Sequence, residues 1–503
     1  MSYRVWMAVF CLLLAKGESL VSADDLFDDL RTRIPTILVD EQVPSVAVAV
    51  ARDGQIVWEQ GFGWADRENR RPADEHTMYS LASISKPITA TGLMVLVERQ
   101  ALQLDQPANR YLGEAKLTAF VGDAQQATLR RLANHTSGLP LHYQFFYADE
   151  AHRRPPMDDT IRRYGILVNA PGETYRYANL GYGILDYVLT RASGKPYASF
   201  MREEVFLPLG LTHTSVDIGP GLEAYAAVRY DSQQNPLPFY DFDHPGASAV
   251  YSSAHDLVRF GMFHLGQRLP DQKAILTAES IEEMQRGTAT IGPDAAYGIG
   301  WSINGRDYGA PAVTHGGGMG GVRTHLVLLP SLRAAVVVLS NSSNELVTRL
   351  AKEIAGLLPR SAAKEPATEA PVDIQADKPP LAQPEVSFRG RWEGQVRTDG
   401  RLLPISLEFQ DDGDIHVRLN GQLKTLVNEA RQENGYLLGV FAGDIGTVDA
   451  NRRPYHLHLN VKLRGDILGG SLTAISLPAP KFGNALSHWV ELRQAQPPQA
   501  GKP

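Results

Sequence analysis

The chain has 503 residues, more than one ordinary hydrophobic core can hold, so we expect two or three domains. Its formal net charge of -7 and the lack of a basic stripe argue against a nucleic-acid partner. The single cysteine, Cys11, lies in the N-terminal segment. Once that segment is removed, thiol catalysis, disulfide bonds and cysteine-ligated metals are excluded.

The N-terminal segment has the pattern of a secretory signal peptide. Arg4 precedes an apolar run over residues 5–15, and small residues at 21–23 offer a cleavage site. We therefore predict a signal peptide over residues 1–23 and a secreted or periplasmic protein. An uncleaved anchor is the alternative, although the run is shorter than the ~20 residues that a spanning helix needs. No later stretch reaches ~18 uninterrupted apolar residues, so we expect no stable membrane span after cleavage.

The segment that follows mixes strand and helix patterns. Residues 45–63 (SVAVAVARDGQIVWEQGFG) predict two strands around an Asp-Gly turn, and residues 83–98 predict a buried helix because they are apolar nearly all round. Residues 198–210 and 253–266 predict helices that end at glycine. Residues 334–341 (AAVVVLSN) predict a short buried strand.

A break in composition divides the chain. Residues 361–384 are rich in proline, alanine and charge, so they predict a linker after a first domain that covers residues 24–360. After the linker the hydrophobic period changes to two, and residues 402–421 and 455–476 are hairpin candidates. Seven or eight such strands without a helix signal predict a small all-β barrel or sandwich over residues 385–495.

The buried helix begins with a serine and a lysine at (i, i+3), Ser83 and Lys86, so their side chains share one helix face. A serine hydroxyl needs a base to become a nucleophile, and a lysine can serve if burial lowers its pKa. A paired structural charge is the alternative, and the two residues alone leave both open. The same spacing recurs at Ser361 and Lys364, in the predicted linker, where no pocket can hold it.

Two further motifs follow in chain order. Tyr177 and Asn179 form the only Tyr-x-Asn, and His315 begins a His-Gly-Gly between two strand-like runs. A core tyrosine is the plain alternative for Tyr177. His244 and His264 match the same His-x-Gly pattern, but only His315 has the strand and glycine context that lets a substrate approach the backbone.

Together with the stretches LANHTSGLP and YGIGWS, these motifs resemble the serine β-lactamase and penicillin-binding protein family over residues 25–358. The likeness is to its class C, D-aminopeptidase and esterase branch. It implies an α/β (α+β) fold, with a central antiparallel sheet flanked by helices. The C-terminal barrel is similar to the lipocalin-like domains appended to D-aminopeptidases and related serine peptidases.

The resemblance implies a role for each motif. Ser83 would be the acylated nucleophile, Lys86 its hydrogen-bonded partner and base, and Tyr177 the relay of the proton to the leaving group. The residues implied in substrate binding are Asn179 for the substrate amide, His315 and Gly317 along the edge of the site, and Gly318, whose N–H would form an oxyanion hole with that of Ser83.

The sequence departs from the lactam-destroying members of the family at His315, where they mostly carry a lysine that recognises the substrate carboxylate. An unperturbed histidine titrates near pH ~6.5, so, if His315 faces the substrate, we expect it to attract a carboxylate only at lower pH. Arg323, on the next predicted strand, is a rival partner for that carboxylate. No segment clearly supplies a glutamate for deacylation.

These expectations favour a hydrolase of D-amino-acid peptides or related amides, of D-aminopeptidase or D-Ala-D-Ala carboxypeptidase type. An esterase, a weak β-lactamase and a catalytically silent penicillin-binding sensor are the alternatives.

We expect a small-molecule or peptide substrate, no cofactor and no metal, because His456 and His458 lack a third ligand. Oligomeric state is open. Truncation near Ala363 should leave a folded, acylatable protein with an altered substrate preference.

Overall fold

The computed structural model describes residues 26–305, 307–358 and 388–495. The predicted signal peptide over residues 1–23 and the predicted linker over residues 361–384 lie outside the described residues. Within the described ranges, no helix combines the length and the apolar character needed to cross a membrane.

The helices are short and lie almost entirely in the first domain. In chain order they are α1 (Asp28–Asp40), α2 (Ser85–Glu98), α3 (Leu129–Ala133), α4 (Met157–Tyr164), α5 (Asn179–Ser193), α6 (Tyr197–Met201), α7 (Pro245–Ser248), α8 (Ala254–His264), α9 (Ala278–Gln285) and α10 (Leu346–Leu357). A π-helical turn, Arg202–Phe206, continues α6, and Ser253 caps α8 with a hydrogen bond from the Asp256 N–H.

The strands of the first domain are β1 (Ser45–Arg52), β2 (Gln55–Asp66), β3 (Arg71–Pro72), β4 (Tyr79–Ser80), β5 (Thr118–Ala119), β6 (Phe145–Tyr147), β7 (Ile166–Leu167), β8 (Thr214–Val216), β9 (Tyr240–Phe242), β10 (Val250–Ser252), β11 (Ala289–Gly292), β12 (Ala295–Tyr297), β13 (Ser302–Asn304), β14 (Ala312–Met319), β15 (Val322–Leu329) and β16 (Ala334–Ser340). Those of the second are β17 (Gly390–Thr398), β18 (Arg401–Phe409), β19 (Ile415–Leu419), β20 (Thr425–Leu426), β21 (Asn428–Glu433), β22 (Tyr436–Phe441), β23 (Tyr455–Arg464), β24 (Ile467–Ser476) and β25 (Ala485–Gln494).

A nine-stranded antiparallel sheet is the centre of the first domain, in the order β11-β12-β13-β14-β15-β16-β1-β2-β3. The valines of β1 pack under α1 and α10, whereas its alanines face the larger core that contains α8. Because both faces are covered, β1 and β16 are buried along nearly their whole length. The predicted α/β fold with helices flanking a central antiparallel sheet is confirmed, and so is the hairpin of β1 and β2 around Asp53 and Gly54.

The C-terminal strands form a second antiparallel sheet, in the order β20-β19-β18-β17-β25-β24-β23-β22-β21. Its two edge strands are separated in the chain by Val427 alone, so the sheet curls back on itself into a nearly closed barrel. The predicted all-β barrel is confirmed, with nine strands among the described residues where seven or eight were expected. The resemblance of this barrel to lipocalin-like domains stays a prediction.

The barrel packs directly against the first domain. Backbone hydrogen bonds of 2.9 and 3.0 Å join Tyr143 to Ala485 of β25, and the Phe120 ring stacks on Trp489 at 4.9 Å. Arg163 of α4 forms a 3.0 Å ion pair with Asp449 of the barrel. The two domains therefore share a contact surface, which we term the seam.

Candidate active site

The serine lies in a strained turn between β4 and α2. Ser83 is the middle residue of a 3₁₀ turn, Ala82–Ile84, so it precedes the helix that the sequence predicted it to begin. Ala82 has a φ of +48°, a left-handed conformation that a residue with a Cβ rarely adopts. The Leu81 N–H holds the turn in place through a 2.8 Å hydrogen bond to the Val250 carbonyl. The half-buried Ser83 hydroxyl is thereby presented to the first turn of α2.

Lys86 is fully buried next to this serine. Its Nζ lies 3.0 Å from the Ser83 Oγ, 2.8 Å from the Asn179 Oδ1 and 3.2 Å from the Ala247 carbonyl. In the part of the chain that the structure describes, no carboxylate lies within ion-pair distance of it. Burial therefore lowers the pKa of Lys86 well below its ordinary value.

The three partners of Lys86 can all accept its N–H groups, and the Ser83 hydroxyl can also donate to it. The Asn179 Oδ1 and the Ala247 carbonyl can only accept hydrogen bonds, so they take up two N–H groups. When Lys86 is deprotonated, its lone pair is available to the Ser83 hydroxyl 3.0 Å away, which can then donate its proton. The geometry is that of a base poised on a nucleophile.

Tyr177 completes the cluster. Lys86 Nζ lies 4.6 Å from the centre of its ring, and its phenol interacts with the Ser83 side chain. Burial raises the pKa of Tyr177 far above its ordinary value, against the weaker effect of Ser83. At neutral pH Tyr177 is therefore a protonated phenol, which can give a proton but is not a phenolate base.

His135 is the site residue to which the sequence analysis gave no role. It is 1% exposed, and its ring lies 4.3 Å from that of Tyr177 and 4.8 Å from that of Tyr297. Its Nδ1 accepts a 3.2 Å hydrogen bond from the Ala178 N–H, next to Tyr177 in the chain. It lies within LANHTSGLP, but its local context is that of a turn, and only long-range packing places it here.

His315 lies in the site, as predicted, but is neutral. Its Nδ1 donates a 2.8 Å hydrogen bond to the Gly316 carbonyl, which can only accept, so its Nε2 accepts from the Tyr297 hydroxyl at 2.8 Å. Burial, with a smaller effect of Lys86, lowers the pKa of His315 to about 3. The ring is thus perturbed from the unperturbed histidine considered in the sequence, because both of its nitrogens are hydrogen-bonded within the protein.

Arg323, the rival partner for a carboxylate, is already engaged. It forms an ion pair with Glu345, and its Nε donates to the Asn344 carbonyl at 3.0 Å. These contacts engage its Nη2 and Nε, whereas its Nη1 lies 3.1 Å from the position that a Cβ on Gly318 would take.

The glycines of β14 bring that strand against the nucleophile. A Cβ on Gly317 would lie 2.2 Å from both the Leu81 carbonyl and the Thr324 Oγ1, so only glycine lets the strand approach this turn. Strand β13 pairs with β14 no further than Thr314, so the following residues have an edge that β13 leaves open. Gly318 is exposed on this stretch. Its role in an oxyanion hole stays a prediction.

The structure thus brings the predicted Ser83, Lys86, Tyr177, Asn179, His315 and Gly317 to one place. His456 and His458 lie on β23 of the barrel, and among the described residues no three His, Cys, Asp or Glu side chains are grouped to hold a metal ion. The second Ser-x-x-Lys, at Ser361 and Lys364, lies outside the described residues.

Comparison with known proteins agrees with this geometry. The Beta-lactamase family model matches residues 23–358, well over half of the chain. Penicillin-binding protein 4* of Bacillus subtilis is 29% identical over 322 residues, which cover 59% of this chain and 68% of the relative. The unguisins hydrolase ungD' of Aspergillus campestris is 28% identical over 348 residues, which cover 66% of this chain and 64% of the relative. The chain spans about two thirds of the length of these relatives.

Two solved structures share the fold. An octameric penicillin-binding protein homologue from Pyrococcus abyssi matches with a TM-score of 0.58 at 22% identity, covering 92% of this chain and 99% of that one. A class C β-lactamase matches with a TM-score of 0.58 at 17% identity, covering 69% of this chain and 99% of that one. These two structures share the fold of this chain, and the family model matches the domain that carries Ser83. The chain belongs to the β-lactamase family and is a serine hydrolase.

Proposed function

We propose that this protein is a secreted or periplasmic hydrolase that acylates Ser83 and cleaves amides of D-amino acids, in the manner of a D-aminopeptidase. The observation that carries the proposal is the buried Lys86 amine, 3.0 Å from the Ser83 Oγ and without a carboxylate partner among the described residues. The pattern of residues 1–23 supports secretion.

In the acylation step, the Ser83 Oγ attacks the substrate carbonyl while its proton passes to the Lys86 lone pair. Backbone N–H groups of Ser83 and Gly318 would hold the negative charge that develops on the carbonyl oxygen. Asn179 already uses its Oδ1 to orient Lys86, so its amide N–H groups are the ones left for the substrate.

Collapse of the tetrahedral intermediate breaks the bond to the leaving amine, which must be protonated as it departs. Tyr177 is suited to give this proton because its phenol stays protonated, and Lys86 can then pass the proton it took from Ser83 to the Tyr177 phenolate. Deacylation follows the same route: Lys86 acts as the base that takes a proton from water, and the water attacks the acyl-enzyme.

The charges around the site favour one substrate class. Recognition of a free carboxylate beside the scissile bond needs a cation, but His315 is neutral and Arg323 is paired with Glu345. We therefore place neutral amides ahead of the carboxylate-bearing substrates of a carboxypeptidase or a strong β-lactamase, for which Glu345 would compete at Arg323. The preference for D-amino acids rests on the resemblance to the D-aminopeptidase branch.

A penicillin-binding sensor is the second candidate, and one observation favours it. Ser83, Lys86 and Tyr177 have no carboxylate among the hydrogen-bond partners that the described residues supply, so none is in place to activate the deacylating water. Such a protein would acylate once and stay acylated.

Turnover of matched substrates tests the proposal. The protein would be assayed on D-alanine p-nitroanilide, its L-enantiomer, a D-Ala-D-Ala dipeptide with a free carboxylate, and benzylpenicillin, with Ser83→Ala as control. We expect multiple turnovers that are fastest on the D-anilide and absent in the control. One acylation per molecule without turnover would assign the sensor instead, and equal rates on the two anilides would remove the D-specificity.

A further inference from the structure

One outward face of the barrel is built from residues with polar groups that are only partly exposed, because the first domain packs against them. Asn460, Lys462 and Arg464 alternate along β23, so they share the face opposite to the buried side chains of the barrel interior. Tyr436 of β22 is paired with Lys462 in the register and is 7% exposed. These four residues, which we term the docking face, cover the segment over residues 169–176 that leads directly into Tyr177.

The docking face binds this segment at two groups, the side-chain amide of Asn169 and the carboxylate of Glu173. The Asn169 Oδ1 accepts hydrogen bonds from the Tyr436 hydroxyl at 2.7 Å and from the Arg464 guanidinium at 2.9 Å. Glu173 forms ion pairs of 2.8 Å with Lys462 and 3.1 Å with Arg464. Burial acts to raise the pKa of Glu173, but the two cations outweigh it and the pKa falls. The carboxylate is therefore charged and held.

Arg176 transmits this contact to the catalytic residue beside it. Its guanidinium lies 4.2 Å from the centre of the Tyr436 ring and donates to the Asn460 Oδ1 at 3.2 Å. Its backbone N–H donates to the His135 carbonyl at 2.8 Å. Since the Ala178 N–H bonds to the His135 ring at 3.2 Å, Tyr177 is fixed on both sides.

We propose that the C-terminal barrel positions the Tyr177 hydroxyl through the docking face, so that Tyr436, Asn460, Lys462 and Arg464 are positioning residues of the reaction. This inference rests on the proposed function, because it takes Tyr177 as the donor to the leaving group. The segment has no helix or sheet of its own between Leu167 and Asn179, so its path depends on what packs against it.

A displaced Tyr177 has a characteristic kinetic signature. An amine is a poor leaving group and needs the proton, whereas p-nitrophenolate leaves without one. Loss of positioning should therefore lower kcat/KM for a D-alanine anilide far more than for a D-alanine p-nitrophenyl ester. A variant that is merely less stable loses both in proportion, because the ratio is independent of the folded fraction.

The test compares Tyr436→Phe combined with Lys462→Met against Lys424→Met in the full-length protein. Lys424 is a matched control, since it is also a barrel lysine paired with a glutamate, Glu408, but it lies outside the docking face. We expect the anilide-to-ester ratio to fall about tenfold in the docking-face variant, with kcat affected more than KM, and to be unchanged in the control. In a Tyr177→Phe background the same two substitutions should leave the ratio unchanged, because the positioned group is gone.

A wild-type ratio in the docking-face variant, or an equal fall in the Tyr177→Phe background, would overturn the inference. Fluorophosphonate labelling separates this failure from that of the proposed function. Ser83 that labels at the wild-type rate while the ratio stays wild-type contradicts the positioning role alone, whereas wild-type protein that never labels at Ser83 contradicts the function. If the double variant does not fold, Tyr436→Phe alone retains the ring under Arg176 and takes its place.

Discussion

The catalytic cluster and the seam with the barrel both contain lysines, fully buried in the first and partly buried in the second, and they differ in how the charge is matched. At the seam, Lys462 is paired with Glu173 and Lys481 with Asp149. In the cluster, Lys86 has only an amide oxygen, a carbonyl and a hydroxyl as partners. A buried cation without a counter-ion is costly, so burial lowers the pKa of this amine well below its ordinary value. The difference separates a lysine that stabilises an interface from one that is prepared for chemistry.

The largest expected effect comes from restoring a permanent charge in the cluster. Lys86→Arg should lower kcat/KM on any ester or amide by at least ~100-fold, because arginine cannot be deprotonated in the working pH range. Steady-state kinetics on a p-nitrophenyl ester would measure it, with Lys424→Arg as the matched exchange outside the cluster. An arginine variant with more than a tenth of wild-type activity would show that Lys86 is not the base.

The next effect concerns the close approach of β14 to the nucleophile. Gly317→Ala should slow acylation by more than ~10-fold and lower the Tm, because its Cβ would overlap the Leu81 carbonyl and Thr324 and push the turn that carries Ser83. Gly356→Ala, in α10 with nothing within 4 Å of its Cβ, is the matched control and should keep activity. If both variants acylate normally, the turn is not set by this contact.

The titration of Lys86 should also appear in stability. Its pKa is lowered in the folded protein, so between that value and the unfolded value of ~10.4 the unfolded chain binds more protons, and the free energy of unfolding rises with pH. Lys86→Met lacks this contribution. Its stability relative to wild type should therefore fall as pH rises from about 7 to about 10, as measured by urea unfolding. Ser83→Ala, which keeps the amine, should follow wild type; a parallel course of Lys86→Met and wild type would mean that Lys86 keeps an ordinary pKa.

The smallest expected effect is that the preference between charged and neutral substrates does not change with pH. Because the pKa of His315 is lowered to about 3, this ring stays neutral throughout the range of the assay. The ratio of kcat/KM for a carboxylate-bearing D-peptide to that for its neutral amide should therefore stay within about twofold between about pH 8 and about pH 6. A ratio that rises as pH falls, and is flattened by His315→Lys, would restore the titrating histidine that the sequence suggested.

Local patterns were enough to predict much of this molecule. The buried strand β16, the hairpin of β1 and β2 and the helix α2 follow from hydrophobic period and turn residues. The order of Ser83, Tyr177 and His315 likewise predicted residues that the fold brings together. These features depend on neighbours in the chain, which a sequence shows directly.

The missed features depend on distant packing. His135 acquires its place from Tyr177 and Tyr297, and the neutrality of His315 comes from burial against the Tyr297 hydroxyl. The docking face was missed because alternating polar residues on a strand are typical of a solvated face. That the first domain folds without the barrel, as the linker suggested, stays a prediction. Because the two domains pack against each other, we expect the fragment over residues 24–360 to be less stable than the whole chain.

The most direct measurement of the central claim is the rate of covalent labelling at Ser83 as a function of pH. The protein would be treated with a fluorophosphonate, and the adduct located by intact mass and peptide mapping. We expect one adduct, on Ser83, with a rate constant that falls on acidification only as the lowered pKa of Lys86 is crossed, and no adduct in Ser83→Ala. An adduct on another residue, or a rate that rises only as pH approaches the ordinary lysine pKa of ~10.4, would contradict a neutral Lys86 acting on Ser83.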